Sequence, residues 1–139
     1  MTEICQLDLA GLNLFSKKIA PELSNKLVFI TGEMGTGKTT LVQFLLAHLG
    51  IKNLRVTSPT YALLHEYKTP RQNIAHLDLY RLSSPHELEF IGIRDYLDGN
   101  WLVLIEWPEK AQGFLPEPDV SIKLAYAADE FTREIHYSS

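Results

Sequence analysis

The chain has 139 residues, 45% of them hydrophobic and 22% charged, with a formal net charge of −4 and a pI of about 5.7. That size suits one compact domain over residues 1–139, and the acidic balance argues against a broad basic surface for nucleic acid. Cys5 is the single cysteine, which excludes an internal disulfide and makes a reducing compartment the default.

No apolar run approaches the ~18 residues of a membrane span. The first residues carry Glu3 and Asp8 and lack a basic stretch followed by an apolar one, so no secretory signal is read. A cytoplasmic protein without membrane association is expected.

In chain order, residues 3–8 read as a short strand. A helical pattern follows, with Leu12, Phe15 and Ile19 on one face and Lys17 and Lys18 on the other, ended by Pro21. Lys26 to Thr31 is a strand that feeds Gly32-Glu33-Met34-Gly35-Thr36-Gly37-Lys38-Thr39, a complete G-x-x-x-x-G-K-T loop. Glycines there let backbone N–H groups turn toward a phosphate chain, and the next helix adds its positive N-terminal end. Lys38 is the residue to reach the β and γ phosphates, and the Thr39 hydroxyl is a Mg²⁺ ligand. The helix after the loop buries Leu41, Val42, Leu45, Leu46 and Leu49 and stops at Gly50.

Thr57-Ser58-Pro59-Thr60 comes next, read either as a switch loop that senses the γ-phosphate or as a Ser-Pro turn whose hydroxyls bond locally. The pattern then changes to period two. Tyr61 to Tyr67 is a strand, Thr69 to Asn73 a turn, and Ile74 to Leu79 a second strand, antiparallel to the first. Ser84-Pro85-His86-Glu87 reads as a helix start, with Ser84 as N-cap, Pro85 at the first helical position and Glu87 closing a capping box. Trp101 to Ile105 is a continuous apolar run, as in a central strand buried on both faces. Val120–Tyr126 and Phe131–Tyr137 form a terminal hairpin. The sum is an α/β fold, a P-loop NTPase-type three-layer sandwich on a mixed, partly antiparallel sheet.

Phosphoryl chemistry also needs an acid to hold Mg²⁺ and a group to orient the nucleophile. Two carboxylates compete. Glu106 follows the apolar run directly and lands at the C-terminal edge of the sheet, where ligands of α/β folds collect. Asp78 shares a strand face with His76 and Tyr80 and can be aimed at the same place. Trp107 is either a structural residue at the strand end or a neighbour of the nucleotide. His65, His76 and His86 have no metal-ligand spacing with one another or with Cys5, so no zinc is expected.

A Ras-type GTPase is unsupported: Asp8-Leu9-Ala10-Gly11 precedes the loop, and Asn25-Lys26-Leu27-Val28 lacks the guanine-reading aspartate. A lidded kinase is no better supported, because Arg55, Arg71, Arg81, Arg94 and Arg133 are scattered and no lid-like insertion is visible. A lone ATPase or a nucleotide-gated switch fits better.

Five blocks occur in one order: Gly32–Thr40, Ser58-Pro59-Thr60-Tyr61, His76-Leu77-Asp78-Leu79-Tyr80-Arg81-Leu82, Glu87–Tyr96 and Glu106-Trp107-Pro108-Glu109. Together they resemble the TsaE (YjeE-type) family, from about residue 8 to the terminal hairpin. The resemblance implies a bacterial Mg²⁺-dependent ATPase that supports formation of N6-threonylcarbamoyladenosine at position 37 of ANN-decoding tRNAs. It implies TsaB and TsaD as partners, with TsaD performing the transfer, ATP hydrolysis resetting the complex, and tRNA met only through it. By matching positions, Glu33, Met34, Gly35, Thr36, Gly37, Lys38, Thr39 and Thr40 hold ATP, with Trp107 close by. Thr39 and Glu106 hold Mg²⁺, Asp78, Glu106 and Thr60 are the catalytic or switch residues, and Leu9 to Asn13 help enclose the base. Glu33 and Thr36 stand where aspartate and alanine are common in the family. The alternatives are a nucleotide-gated binding module without significant turnover and a small-metabolite kinase.

Overall fold

The computed structural model of the protein describes residues 2–51 and 63–139. It opens with β1 (Thr2–Leu7) and α1 (Leu9–Ile19). Asp8 starts that helix by accepting the Gly11 amide on its carboxylate at 2.7 Å, and Lys17 and Lys18 lie in the last turn, where the helix dipole favours cations. Pro21 ends the α-helical spacing but not the coil, which tightens into a short 3₁₀ turn over Ala20–Leu23.

β2 (Leu27–Gly32) and α2 (Lys38–His48) flank the glycine-rich loop. β3 (Leu64–Lys68) and β4 (Asn73–Asp78) pair antiparallel, as the short connection between them requires. The expected start of the earlier strand at Tyr61 lies outside the described residues. Two single-turn helices, α3 (Glu87–Phe90) and α4 (Ile93–Tyr96), lead to β5 (Trp101–Glu106), and β6 (Val120–Tyr126) and β7 (Arg133–Ser138) form the final hairpin.

All seven strands join one sheet in the order β1-β7-β6-β2-β5-β4-β3. The centre, β6-β2-β5-β4, is parallel, and both margins are antiparallel. Alternation along the central strands separates two cores. Val28, Ile30, Leu102, Leu104 and Ile122 pack with Leu12, Phe15, Leu41 and Leu45 of α1 and α2. Ala75, Leu77, Val103 and Ile105 point the other way, onto Leu88, Ile93 and Ala111. Helical segments on both sides of the sheet give the three layers expected from the sequence.

The capping box at Ser84 does not form. The Ser84 hydroxyl takes the His86 amide at 3.3 Å, the Glu87 amide goes to the Ser84 carbonyl, and helix begins only at Glu87. Gly92, at φ +71°, then turns the chain before a second helix grows. At the C-terminal hairpin, Phe131 and Thr132 belong to the turn and not to the strand, because the Asp129 carboxylate binds both of their amides at 2.9 Å.

Candidate active site

The glycine-rich loop is held from inside and from across the sheet. Gly32 has φ +146°, and a Cβ there would lie 2.4 Å from the Leu124 carbonyl oxygen, so only glycine fits against β6. Thr36 is buried and its hydroxyl donates to the Glu33 carbonyl at 2.7 Å. From β6, the Tyr126 hydroxyl donates to the Met34 carbonyl at 2.6 Å and packs so close to Gly35 that a Cβ at that position would meet its oxygen at 2.9 Å. Arg133 lies over the Tyr126 ring, its guanidinium 4.9 Å from the ring centre.

Lys38, the first residue of α2, folds back over the loop. Its Nζ donates to the carbonyls of Gly32 at 2.6 Å and Glu33 at 2.8 Å, and sits 4.5 Å from the centre of the Trp107 ring. Burial pushes the ammonium's pKa down, while the carboxylates of Glu106, Asp78 and Glu109 pull it back up.

Parallel pairing of β4 with β5 sets Asp78 opposite Glu106 at the C-terminal ends of both strands. Both line a cavity of about 430 Å³, together with Lys38, Thr39, Tyr80 and Trp107. Asp78 is half-buried and its carboxylate accepts the Tyr80 amide at 3.0 Å, which turns the chain out of the strand. Glu106 is only 2% exposed and accepts a hydrogen bond from His76 Nε2 at 2.6 Å. Trp107 adopts left-handed backbone geometry, φ +58°, which costs a non-glycine residue of order 1 kcal/mol and turns its ring over the cavity, 5.0 Å from Tyr80.

Among the residues expected at the site, Met34, Gly35, Gly37, Lys38, Thr39, Thr40, Asp78, Glu106 and Trp107 line this one cavity. Glu33 contributes its carbonyl to Lys38 and Thr36, and Thr36 faces a second cavity of about 240 Å³ on the other side of the loop. Leu9 and Leu12 line that second cavity with Phe131 and Arg133, whereas Asn13 binds His48 at 2.7 Å. Thr60 lies outside the described residues. Sequence reasoning missed His76, Tyr126, Phe131 and Arg133. Of these His76 had a signal, since alternation already put it on the face of Asp78.

Among the described residues no group of three or more His, Cys, Asp or Glu is arranged to hold a metal ion. A hydroxyl (Thr39) and two carboxylates (Asp78, Glu106) nevertheless face one cavity, and these hard oxygen donors suit Mg²⁺. Mg²⁺ in phosphate sites takes one or two protein carboxylates and completes its shell from water and phosphate, so a sparse protein donor set fits.

The family model for "Threonylcarbamoyl adenosine biosynthesis protein TsaE" matches residues 8–135. The chain belongs to the TsaE family. It is 48% identical over 103 residues to the tRNA threonylcarbamoyladenosine biosynthesis protein TsaE of Haemophilus influenzae, a match covering 74% of this chain and 65% of that protein. It is 40% identical over 111 residues to the TsaE protein of Rickettsia prowazekii, covering 80% of this chain and 74% of that protein. The match thus spans just under two thirds of the Haemophilus TsaE and about three quarters of the Rickettsia TsaE. The crystal structure of Bacillus subtilis YdiB superposes with a TM-score of 0.77 at 24% identity, covering 99% of this chain and 86% of that one, so the two chains share a fold. Among the described residues no helix is long and apolar enough to cross a membrane.

Proposed function

We propose that the chain is a Mg²⁺-dependent ATPase required for formation of N6-threonylcarbamoyladenosine at position 37 of ANN-decoding tRNAs. It acts with TsaB and TsaD, and ATP hydrolysis resets their complex between turnovers. The tRNA is met through that complex and not by the chain alone. The names of the family and of its relatives support the pathway. The observation that carries the catalytic reading is the register of Asp78 against Glu106, which aims two carboxylates into the cavity beside Lys38 and Thr39.

The loop amides and Lys38 bind the phosphates. Lys38 exchanges its bonds to the carbonyls of Gly32 and Glu33 for phosphate oxygens, whose charge compensates the burial of the ammonium. Thr39 and Glu106 are the residues to hold Mg²⁺, which when bound supplies charge stabilisation for phosphoryl transfer. Asp78, less buried than Glu106, orients the attacking water and takes its proton. Trp107 and Tyr80 wall the cavity and limit water, and Thr60 is the switch residue. The base occupies the second cavity, which Leu9, Leu12 and Phe131 line.

Phosphate release from ATP by the full chain, alone and with TsaB and TsaD, tests this reading. Slow release alone and faster release with both partners is expected. No release in either case would leave a nucleotide-gated binding module, and phosphate transfer to an added metabolite would point to a kinase.

A further inference from the structure

Among the described residues the most buried side-chain ion pair includes the proposed metal-binding acid. His76 is fully buried and Glu106 is 2% exposed, with 2.6 Å between His76 Nε2 and Glu106 Oε2. His76 lies in β4 opposite Leu104 and Glu106 lies opposite Asp78, so the hydrogen bond runs diagonally between neighbouring parallel strands on one sheet face. A carboxylate can only accept, so Nε2 carries the hydrogen. The other ring nitrogen, Nδ1, has no partner among the described residues. Toward the start of the two strands that face is apolar, built by Ile74, Leu102 and Leu104, while His65 flanks the ring and Asp78 lies beside Glu106 at the strand ends. A buried imidazole placed there costs desolvation, and its one described hydrogen bond is the bond to Glu106.

The ring has little freedom to turn. It sits in a strand with neighbours on both sides, edge-on to His65 at 6.5 Å between ring centres. His65 is itself edge-on to Tyr67 at 6.4 Å. On Glu106, Oε2 is engaged by His76, while Oε1 accepts no hydrogen bond among the described residues and the side chain lines the cavity. One oxygen is therefore fixed from behind and the other is presented.

We propose that His76 is a positioning residue for Glu106: its Nε2–H locks one carboxylate oxygen so that the other is held toward the cation site. This rests on the reading of Glu106 as a Mg²⁺ ligand. A hydrogen bond donated from behind fixes the rotamer of a ligating carboxylate, and removing such a partner typically costs about 10–100-fold in metal affinity.

The test measures Mn²⁺ affinity, by electron paramagnetic resonance, of the full chain saturated with a non-hydrolysable ATP analogue. Metal-free affinity for the same analogue is measured alongside. Gln carries its amide nitrogen as many bonds from Cβ as His carries Nε2, whereas Asn is shorter and Leu has no donor. H76L and H76N should weaken Mn²⁺ binding about 10–100-fold with metal-free nucleotide affinity unchanged, and H76Q should recover most of it. A purely structural histidine would move stability without this split between metal and nucleotide. If H76L does not fold, the comparison of H76Q with H76N decides. Wild-type Mn²⁺ affinity in H76N or H76L, with E106A impaired, overturns the positioning role and leaves the Glu106 reading standing. Equal loss in H76Q and H76N also overturns it. Wild-type Mn²⁺ affinity in E106A overturns the Glu106 reading and the proposal with it.

Discussion

Lys38 and Trp107 meet face on: the lysine ammonium lies 4.5 Å from the centre of the indole ring while it donates to two carbonyls of its own loop. The pair joins the first turn of α2 to the residue just past β5, and both side chains line the cavity. A phosphate chain would draw the ammonium off the loop carbonyls and change the field at the indole. Trp107 emission should therefore shift or quench on ATP binding in a W101F background, where it is the only tryptophan. K38M should lose the response together with the binding. An ATP-saturated sample with unchanged Trp107 emission would count against this placement of the phosphates.

Asp78 and Glu106 share a cavity but not an environment, so their roles separate. E106A should lower ATP turnover about 10²–10³-fold, the scale seen when one preorganised electrostatic group is removed, and excess Mg²⁺ should partly restore it. D78A should lower turnover on a similar scale with no recovery from added Mg²⁺. Titrating Mg²⁺ in steady-state assays of both variants checks the assignment, and the reverse pattern would exchange the two roles.

Tyr126 is a clamp on the phosphate loop. Y126F deletes a hydrogen bond of 2.6 Å to the Met34 carbonyl and leaves the ring in place over Arg133. A neutral hydrogen bond contributes about 1 kcal/mol net to stability, so the melting temperature should fall by a few degrees, and ATP affinity should fall by up to roughly fivefold as the loop loses its clamp. Isothermal titration calorimetry with a thermal melt measures both.

Alkaline pH should destabilise the fold. Burial pushes the phenol pKa of Tyr67 and of Tyr137 above the ordinary 10.0, with Glu22 and Glu3 adding to the effect at Tyr137. Unfolded chains ionise these phenols near pH 10 and the folded chain only at higher pH, so the folded state holds more protons in that window. Their contribution is complete below pH 10 and is lost as pH rises through the folded values. Lys38, shifted down by burial, works in the opposite sense but with a single proton. Urea midpoints should fall on going from about pH 9 to about pH 11, and Y67F should flatten the slope.

The chain alone should bind tRNA weakly, since 17 acidic residues outnumber 13 lysines and arginines. Filter binding at physiological salt checks this, and tight, salt-sensitive binding without partners would contradict it.

Features carried by one strand or one loop could be read from the sequence. Glu106 stood out because five apolar residues precede it, and that run is what places β5 between β2 and β4. The phosphate loop announced itself through glycines that the backbone uses, at Gly32 for contact with β6. Contacts across the sheet were harder to read. Tyr126 reaches Met34 from 92 residues away, and nothing local to either residue encodes the parallel pairing of β6 with β2 that brings them together. His76 was visible on the face of Asp78, but its bond to Glu106 depends on register between strands. At Ser84 a local helix-start pattern was overruled, because its hydroxyl closed a turn on His86.

Repeated rounds of N6-threonylcarbamoyladenosine formation in a reconstituted system with TsaB and TsaD decide whether ATP hydrolysis at Lys38 resets the complex. Product should accumulate beyond one equivalent per complex with the wild-type chain and stall near one equivalent with K38A. Multiple turnovers with K38A at the wild-type rate would rule that role out.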